Sequence, residues 1–209
     1  MKDSKAPIAR PDVLAGYAAE APELIVRFEA LSAAEVLAPV ADLLPTQPAY
    51  ILDVGAGTGR DAAWLVEQGH RVLAAEPVEA LRAAGIALHP SPAIDWVDDR
   101  LPRLSVARGR GERYDLILLV GVLHHLPPNE QAEAIAVLAA MIGPQGRLIA
   151  SLRHGAGPPR RACFPAEPDR LATVAREAGL RLVARRAAPS LQSENRAAGV
   201  SWTWLCLDR

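Results

Sequence analysis

The chain has 209 residues, half of them apolar, enough for one compact domain with a sizeable core. A formal net charge of −1 gives no electrostatic case for general nucleic-acid binding, and no run of about eighteen apolar residues offers a membrane span. Cys163 and Cys206 lie far apart without companions at ligand spacing, so neither a disulfide framework nor a metal site is expected, and a cytoplasmic setting is the simplest reading. Met1–Pro11 carries charge and no apolar core, unlike a secretory leader. Charge is spread unevenly. Residues 151–209 hold ten Arg and five acids, a net of +5, against a net of −6 over residues 1–150. That basic third suits either an acidic small-molecule partner or solvated helix faces.

Asp12–Leu44 reads as helical in two or three pieces broken by Pro22 and Pro39, carrying Tyr17 and Phe28. Tyr50–Val54 follows as a first strand, then a helix over about Gly59–Gln68 that stops at Gly69. His70–Ala75 is the second strand, Val78–Ala84 a helix, and Ala93–Val97 a shorter third strand. The Arg- and Gly-rich segment Arg103–Arg113 reads as a loop with at most a short helix. Tyr114–Val120 is apolar almost throughout, as a strand covered on both faces should be. Asn129 stands where it would cap a helix carrying Ile135, Leu138 and Ile142 on one face. Gly143–Gly146 turns into a fifth strand, Arg147–Leu152, and a helix over Pro168–Ala178 leads to a sixth, Leu180–Arg185. A polar loop without a helix joins it to the last strand, Val200–Leu207, so that pair is expected to be antiparallel, a hairpin-like closing edge. The alternation predicts an α/β fold, a mostly parallel sheet covered by helices, with no repeat or linker marking a second domain.

The densest signal is Asp53-Val-Gly-Ala-Gly-Thr-Gly59 at the end of the first strand. Its glycines read G-x-G-x-G, and Arg60 stands where the dinucleotide fingerprint has its last glycine. Such a loop admits close backbone approach but suits a less charged nucleoside-type ligand better than a diphosphate. Glu76 ends the second strand nineteen residues after Gly57, where a carboxylate can accept from neighbouring ribose hydroxyls. Tyr114-Asp-Leu-Ile-Leu-Leu-Val-Gly-Val-Leu-His-His-Leu126 completes the set.

In that order these motifs resemble the class I S-adenosylmethionine-dependent methyltransferases, in motif detail over about residues 48–152 and in topology to the carboxyl terminus. The resemblance implies a Rossmann-like, seven-stranded, mostly parallel sheet with an antiparallel last strand and helices on both faces. It implies one domain over residues 1–209: a helical lid (1–47), a cofactor core (48–152) and a substrate-side half (153–209). S-adenosylmethionine is the implied cofactor. Asp53 would hold its ammonium, or only cap the loop amides. Gly55, Ala56, Gly57 and Gly59 would face its methionine and ribose parts, Glu76 its ribose and Pro77 its adenine face. Either Asp98 or Asp99 would accept from the adenine amino group, and Val120 and Gly121 would offer backbone groups to the methionine part. Tyr17 resembles the aromatic many such enzymes place over the cofactor, or else packs its helix on the sheet.

The paired His124 and His125 lie at the expected pocket mouth, where one could take a proton from an acceptor; packing and helix entry are the alternatives. Arg27, Phe28 and Glu29 form a candidate lid on the acceptor side, and Arg153–Arg161 a second wall that includes His154, Arg160 and Arg161. The two adjacent arginines either clamp a carboxylate or phosphate or are solvated. The implied reaction is methyl transfer to a small molecule, with a non-catalytic scaffold or sensor that binds the same cofactor as the alternative. The Asn-Pro-Pro-aromatic signature of base and amide methylation is missing after the fourth strand, where Gly-Val-Leu-His stands. Oligomeric state is left open.

Overall fold

The computed structural model describes residues 12–209, so the reading of Met1–Pro11 lies outside it. The elements in order are α1 (Val13–Glu29), α2 (Ala33–Leu37), a 3-10 turn (Ala38–Leu43), β1 (Tyr50–Val54), α3 (Arg60–Glu67), β2 (Arg71–Ala75), α4 (Glu79–Leu88) and β3 (Ile94–Val97). Then come α5 (Ser105–Gly109), β4 (Tyr114–Val120), a 3-10 turn (Leu123–His125), α6 (Pro128–Met141), β5 (Ile142–His154), α7 (Pro168–Glu177), β6 (Arg181–Pro189), α8 (Ser193–Ala197) and β7 (Ser201–Asp208).

All seven strands form one sheet in the order β3-β2-β1-β4-β5-β7-β6. The first five pair in parallel, while β7 runs antiparallel to both β5 and β6. The antiparallel pairing is as expected, but β7 sits inside the sheet and β6 forms the edge. Successive strand residues point to opposite faces, and the core divides accordingly. Leu52, Leu73, Ile117 and Leu119 pack with Ile135 and Leu138 of α6 and Leu171 of α7. Ile51, Val72, Leu116 and Leu118 pack on the other face with Leu37 and Leu65. Among the described residues no helix is long and apolar enough to cross a membrane.

Several expected boundaries move. Pro22 does not break α1, which runs on to Glu29; burial of Ala21 and Leu24 against Val78 and Leu81 outweighs the cost of about 3 kcal/mol that proline carries in a helix interior. α4 continues past Ala84 because Gly85 lets the helix close on Trp96 and the Thr58 carbonyl, where a Cβ would come within 2.4 Å and 2.7 Å. Asn129 does not cap α6; Pro127 is the cap and Pro128 occupies the first helical position, where a missing N–H costs nothing. Ile142 leaves the helix to pair with Tyr114, and Gly143–Gly146 stays in β5 as an irregularity in the register rather than a turn. The β6–β7 connection holds the short helix α8 instead of a bare loop.

Candidate active site

A cavity of about 1830 Å³ opens at the carboxyl ends of β1, β2, β4 and β5, roofed by α1 and the 189–195 segment. Parallel register sets Val54 beside Ala75, so Asp53 and Glu76 stand at adjacent strand tips. Both carboxylates are almost fully buried, at 3% and 4% exposure. Glu76 accepts hydrogen bonds from Gly57 N and Val78 N, each 2.8 Å. Burial raises its pKa, while those two amides and Arg82 oppose the shift. Asp53 has the opposite problem: its Oδ2 is buried with no partner. Burial, with repulsion from Asp61, pushes its carboxyl well above the usual range.

Gly55 and Gly57 adopt φ of +70° and +59°, a region that L side chains rarely occupy, and both line the cavity. A Cβ on Gly55 would lie 2.7 Å from Val122. Gly59 serves packing instead: it starts α3 in the left-handed region, a Cβ there would strike Trp96 at 2.6 Å, and it does not line the cavity. Ala56 also faces away, toward the apolar layer around Ile51. Pro77, Val120 and Gly121 line the cavity as expected, Gly121 N donating to Ser151 Oγ at 2.8 Å. The structure separates Asp98 from Asp99. Asp99 is buried and accepts from the amides of Arg100, Val106 and Ala107, capping α5. Asp98 is exposed and reaches Arg82 at 3.5 Å, leaving it the freer acceptor at this rim.

At the other end Tyr17, His124, His125, Arg153 and Arg161 line the cavity together. Gly16 makes this possible, because a Cβ there would lie 2.3 Å from the Arg160 carbonyl. α1 can therefore approach the 160–161 segment and bring Tyr17 Oη to 2.8 Å from His125 Nε2. His125 Nδ1 lies 2.9 Å from the Ala162 carbonyl. The Arg161 guanidinium sits over the Tyr17 ring at 4.5 Å, with Nε 3.1 Å from Glu20 Oε2. His124 is buried against His125 and Trp202, its Nδ1 unpartnered. Burial holds both histidines below the usual value, with Arg153 and Arg161 adding to the effect. His124, His125 and Cys163 bring nitrogen and sulfur atoms within 4.8 Å of one another, but the same two guanidiniums repel a cation there.

Two expected wall residues fall elsewhere. His154 turns to Thr203 Oγ1 at 2.8 Å, and Arg160 is exposed; neither lines the cavity. Arg153, the first residue of that wall and paired across to Trp202, takes the place expected of Arg160. Strand alternation carried the signal, since Ser151 and Arg153 share a face that His154 does not. Arg153 has no carboxylate partner among the described residues; Nη1 donates to the Ala156 carbonyl at 2.9 Å. Arg27 and Phe28 line the roof, Arg27 donating to Gln192 at 3.1 Å, so α1 is tied to the segment across the opening. Glu29 is held by the Thr58 hydroxyl and by His89 at 3.0 Å.

The cradle fits S-adenosylmethionine: Asp53 Oδ2 lacks a cationic donor, the loop glycines leave open backbone, and Glu76 keeps lone pairs beyond its two amide bonds. A family model described as a methyltransferase domain matches residues 27–195. Curated relatives include an uncharacterized methyltransferase of Bacillus licheniformis, 30% identical over 47% of this chain and 45% of its own length. Another, from Mycobacterium bovis, is 33% identical over 51% of this chain and 40% of its own. The match thus spans under half the length of these relatives. Among solved structures, a Burkholderia thailandensis 1,6-didemethyltoxoflavin-N1-methyltransferase, with 1,6-didemethyltoxoflavin and S-adenosylhomocysteine bound, is 27% identical. Its TM-score is 0.72, over 98% of this chain and 92% of that one. A TehB-like S-adenosylmethionine-dependent methyltransferase from Corynebacterium glutamicum is 25% identical, with a TM-score of 0.64 over 90% and 97%. With its glycine loop, strand order and matched span all in agreement, the chain belongs to the class I S-adenosylmethionine-dependent methyltransferase family.

Proposed function

We propose that the protein transfers a methyl group from S-adenosylmethionine to a small acceptor carrying a carboxylate or phosphate. One observation carries this reading: a single cavity is lined by carboxylates at its β1–β2 end and by arginines at its β4–β5 end. Asp53 is the acceptor for the donor's ammonium, Glu76 for its ribose hydroxyls and Asp98 for its adenine amino group; Pro77 packs on the adenine and Gly121 meets the methionine part. The bound donor supplies a methyl group already activated by its sulfonium. The chain then has to hold the acceptor in line with that methyl, an orientation effect that reaches about 7–11 kcal/mol in favourable cases. Arg153 and Arg161 suit the acceptor's anionic group, since both face the cavity and Arg153 lacks a carboxylate partner among the described residues.

Calorimetry with the donor and its demethylated product, followed by label transfer from methyl-tritiated donor, tests the reading. The acceptor panel pairs small hydroxy, amino and mercapto acids and phosphates with their uncharged analogues. Transfer to charged members, with uncharged partners showing a raised KM, is expected. Transfer confined to uncharged members removes the anion site, and donor binding without any transfer favours the scaffold reading.

A further inference from the structure

The hydrogen bonds around His125 settle which atom holds each proton. The Ala162 carbonyl can only accept, so His125 Nδ1 is the protonated nitrogen at that 2.9 Å contact. Nε2 of the neutral ring is then an acceptor, and Tyr17 Oη–H donates to it at 2.8 Å. Both ring nitrogens are thereby used, and His125 offers neither to an acceptor molecule. The Tyr17 oxygen keeps lone pairs of its own, on a residue that lines the cavity.

We propose that Tyr17 and His125 form a proton relay in which Tyr17 is the catalytic residue that touches the acceptor and His125 is a positioning residue acting through it. The proposal rests on the methyl-transfer reading and narrows its acceptor to a hydroxyl or N–H that must lose a proton. As the acceptor's lone pair bonds to the methyl carbon, the electron pair of the breaking carbon–sulfur bond stays on sulfur. The acceptor's proton passes to Tyr17 Oη while the Tyr17 proton passes to His125 Nε2. The positive charge lost at sulfur reappears as an imidazolium, whose Nδ1–H remains held by Ala162, and Tyr17 carries that proton back out to water on product release.

Two features fit this assignment. Burial raises the Tyr17 phenol, with Arg161 opposing, so Tyr17 is not a base by itself at neutral pH and must pass its proton on. Burial lowers His125, which keeps Nε2 free to accept. The charged and titratable groups facing the pair are Arg161 over the Tyr17 ring, Arg153, His124, Cys163 with Sγ 3.9 Å from Nδ1, Glu20 paired to Arg161, and Glu76. The guanidiniums disfavour the imidazolium and speed its return to neutral. The sign for pH follows: protonating His125 fills Nε2, so activity falls on the acid side, with its midpoint below the ordinary histidine value of about 6.5.

Two measurements on the full chain test the relay. Nitrogen NMR of labelled imidazoles should show His125 as the Nδ1–H tautomer at pH 7, with an Nε2 signal that moves in Tyr17→Phe; an Nε2–H tautomer overturns the proposal. With the hydroxy or amino acids that the panel turns over, Tyr17→Phe and His125→Gln should each lower kcat about 10²–10⁴-fold. KM and donor affinity should stay within a few-fold, and the acid limb should vanish. A cysteine-type thiol ionises at about pH 8.5, so above that pH the same variants should lose little on mercapto acids of that kind. An equal loss on ionised thiols, or Tyr17→Phe at full activity, overturns the relay alone. A wild-type protein that binds the donor and methylates nothing overturns the methyl-transfer reading and the relay together.

Discussion

At the β1–β2 end of the cavity stand the carboxylates Asp53, Glu76 and Asp98, with Arg60 there already paired to Asp61, whereas at the β4–β5 end stand Arg153, Arg161, His124 and His125. The first set comes from strand tips and the loops just beyond them, held by parallel register and by backbone amides. The second is gathered from α1, the turn after β4, the end of β5 and the segment that follows it, and is held by side-chain contacts between them. A cationic, nucleoside-like donor and an anionic acceptor would each find the charge they need. The donor end is built on the sheet, while the acceptor end also needs α1 seated against the 160–161 segment to bring Tyr17 to His125.

Damage to the two ends should therefore separate in experiment. The largest effect is expected from Gly57→Val. A β-branched residue at φ +59° is strained, and its Cβ alone would already touch the Phe28 ring at 3.5 Å, so calorimetry should detect no donor binding even at millimolar concentration. Glu76→Ala comes next: two amides lose a charged acceptor and the donor loses its ribose partner, so donor binding should weaken by about 1–3 kcal/mol. Gly16→Ala probes the other end. Its Cβ would lie 2.3 Å from the Arg160 carbonyl, so α1 must shift. Stability should fall by about 1–3 kcal/mol, and methyl transfer should fall while donor affinity is nearly kept. If Gly16→Ala cost donor affinity instead, the two ends would not be independent.

The same contrast explains what the sequence made legible. The donor end reads directly because Asp53 to Gly59 is one strand and turn, and parallel pairing with β2 then leaves Glu76 little choice of place. The strands themselves and the antiparallel β7 were legible for a similar reason, each strand being a short apolar run with a turn behind it, while the place of β7 between β5 and β6 was not. The acceptor end resists such reading. Nothing in the spacing of Tyr17, His125 and Arg161 shows that they meet; that depends on Gly16 allowing one helix close to one carbonyl. Within the β5 wall the expected pocket residue was His154, but in a strand one position selects the opposite face, which is why its neighbour Arg153 faces the cavity and His154 faces Thr203. Asp99 shows the converse hazard. An acid at the right place after β3 proves to be a helix cap, because three amides reach it first.

Asp53→Asn should give the smallest shifts, and its two expected changes have opposite signs. In the folded, ligand-free protein the Asp53 carboxyl titrates well above its ordinary value because it is buried beside Asp61 with Oδ2 unpartnered. An acid whose folded pKa lies above its unfolded one (about 3.9) favours folding only while protonated. Its ionisation lowers stability progressively as pH rises from that unfolded value to the folded one. Replacing it with Asn should raise the neutral-pH stability of the ligand-free protein by about 1 kcal/mol and leave stability at pH 3 unchanged. Donor affinity should fall by a similar amount. In the wild type it should also rise with pH up to the folded pKa, because only the carboxylate can pair with an ammonium, and the variant should lose that dependence. Thermal melts with and without donor across this range read both changes. A variant less stable without donor would mean that Asp53 is held by the loop amides, and that the unpaired charge at this end of the cavity is not there to receive a cation.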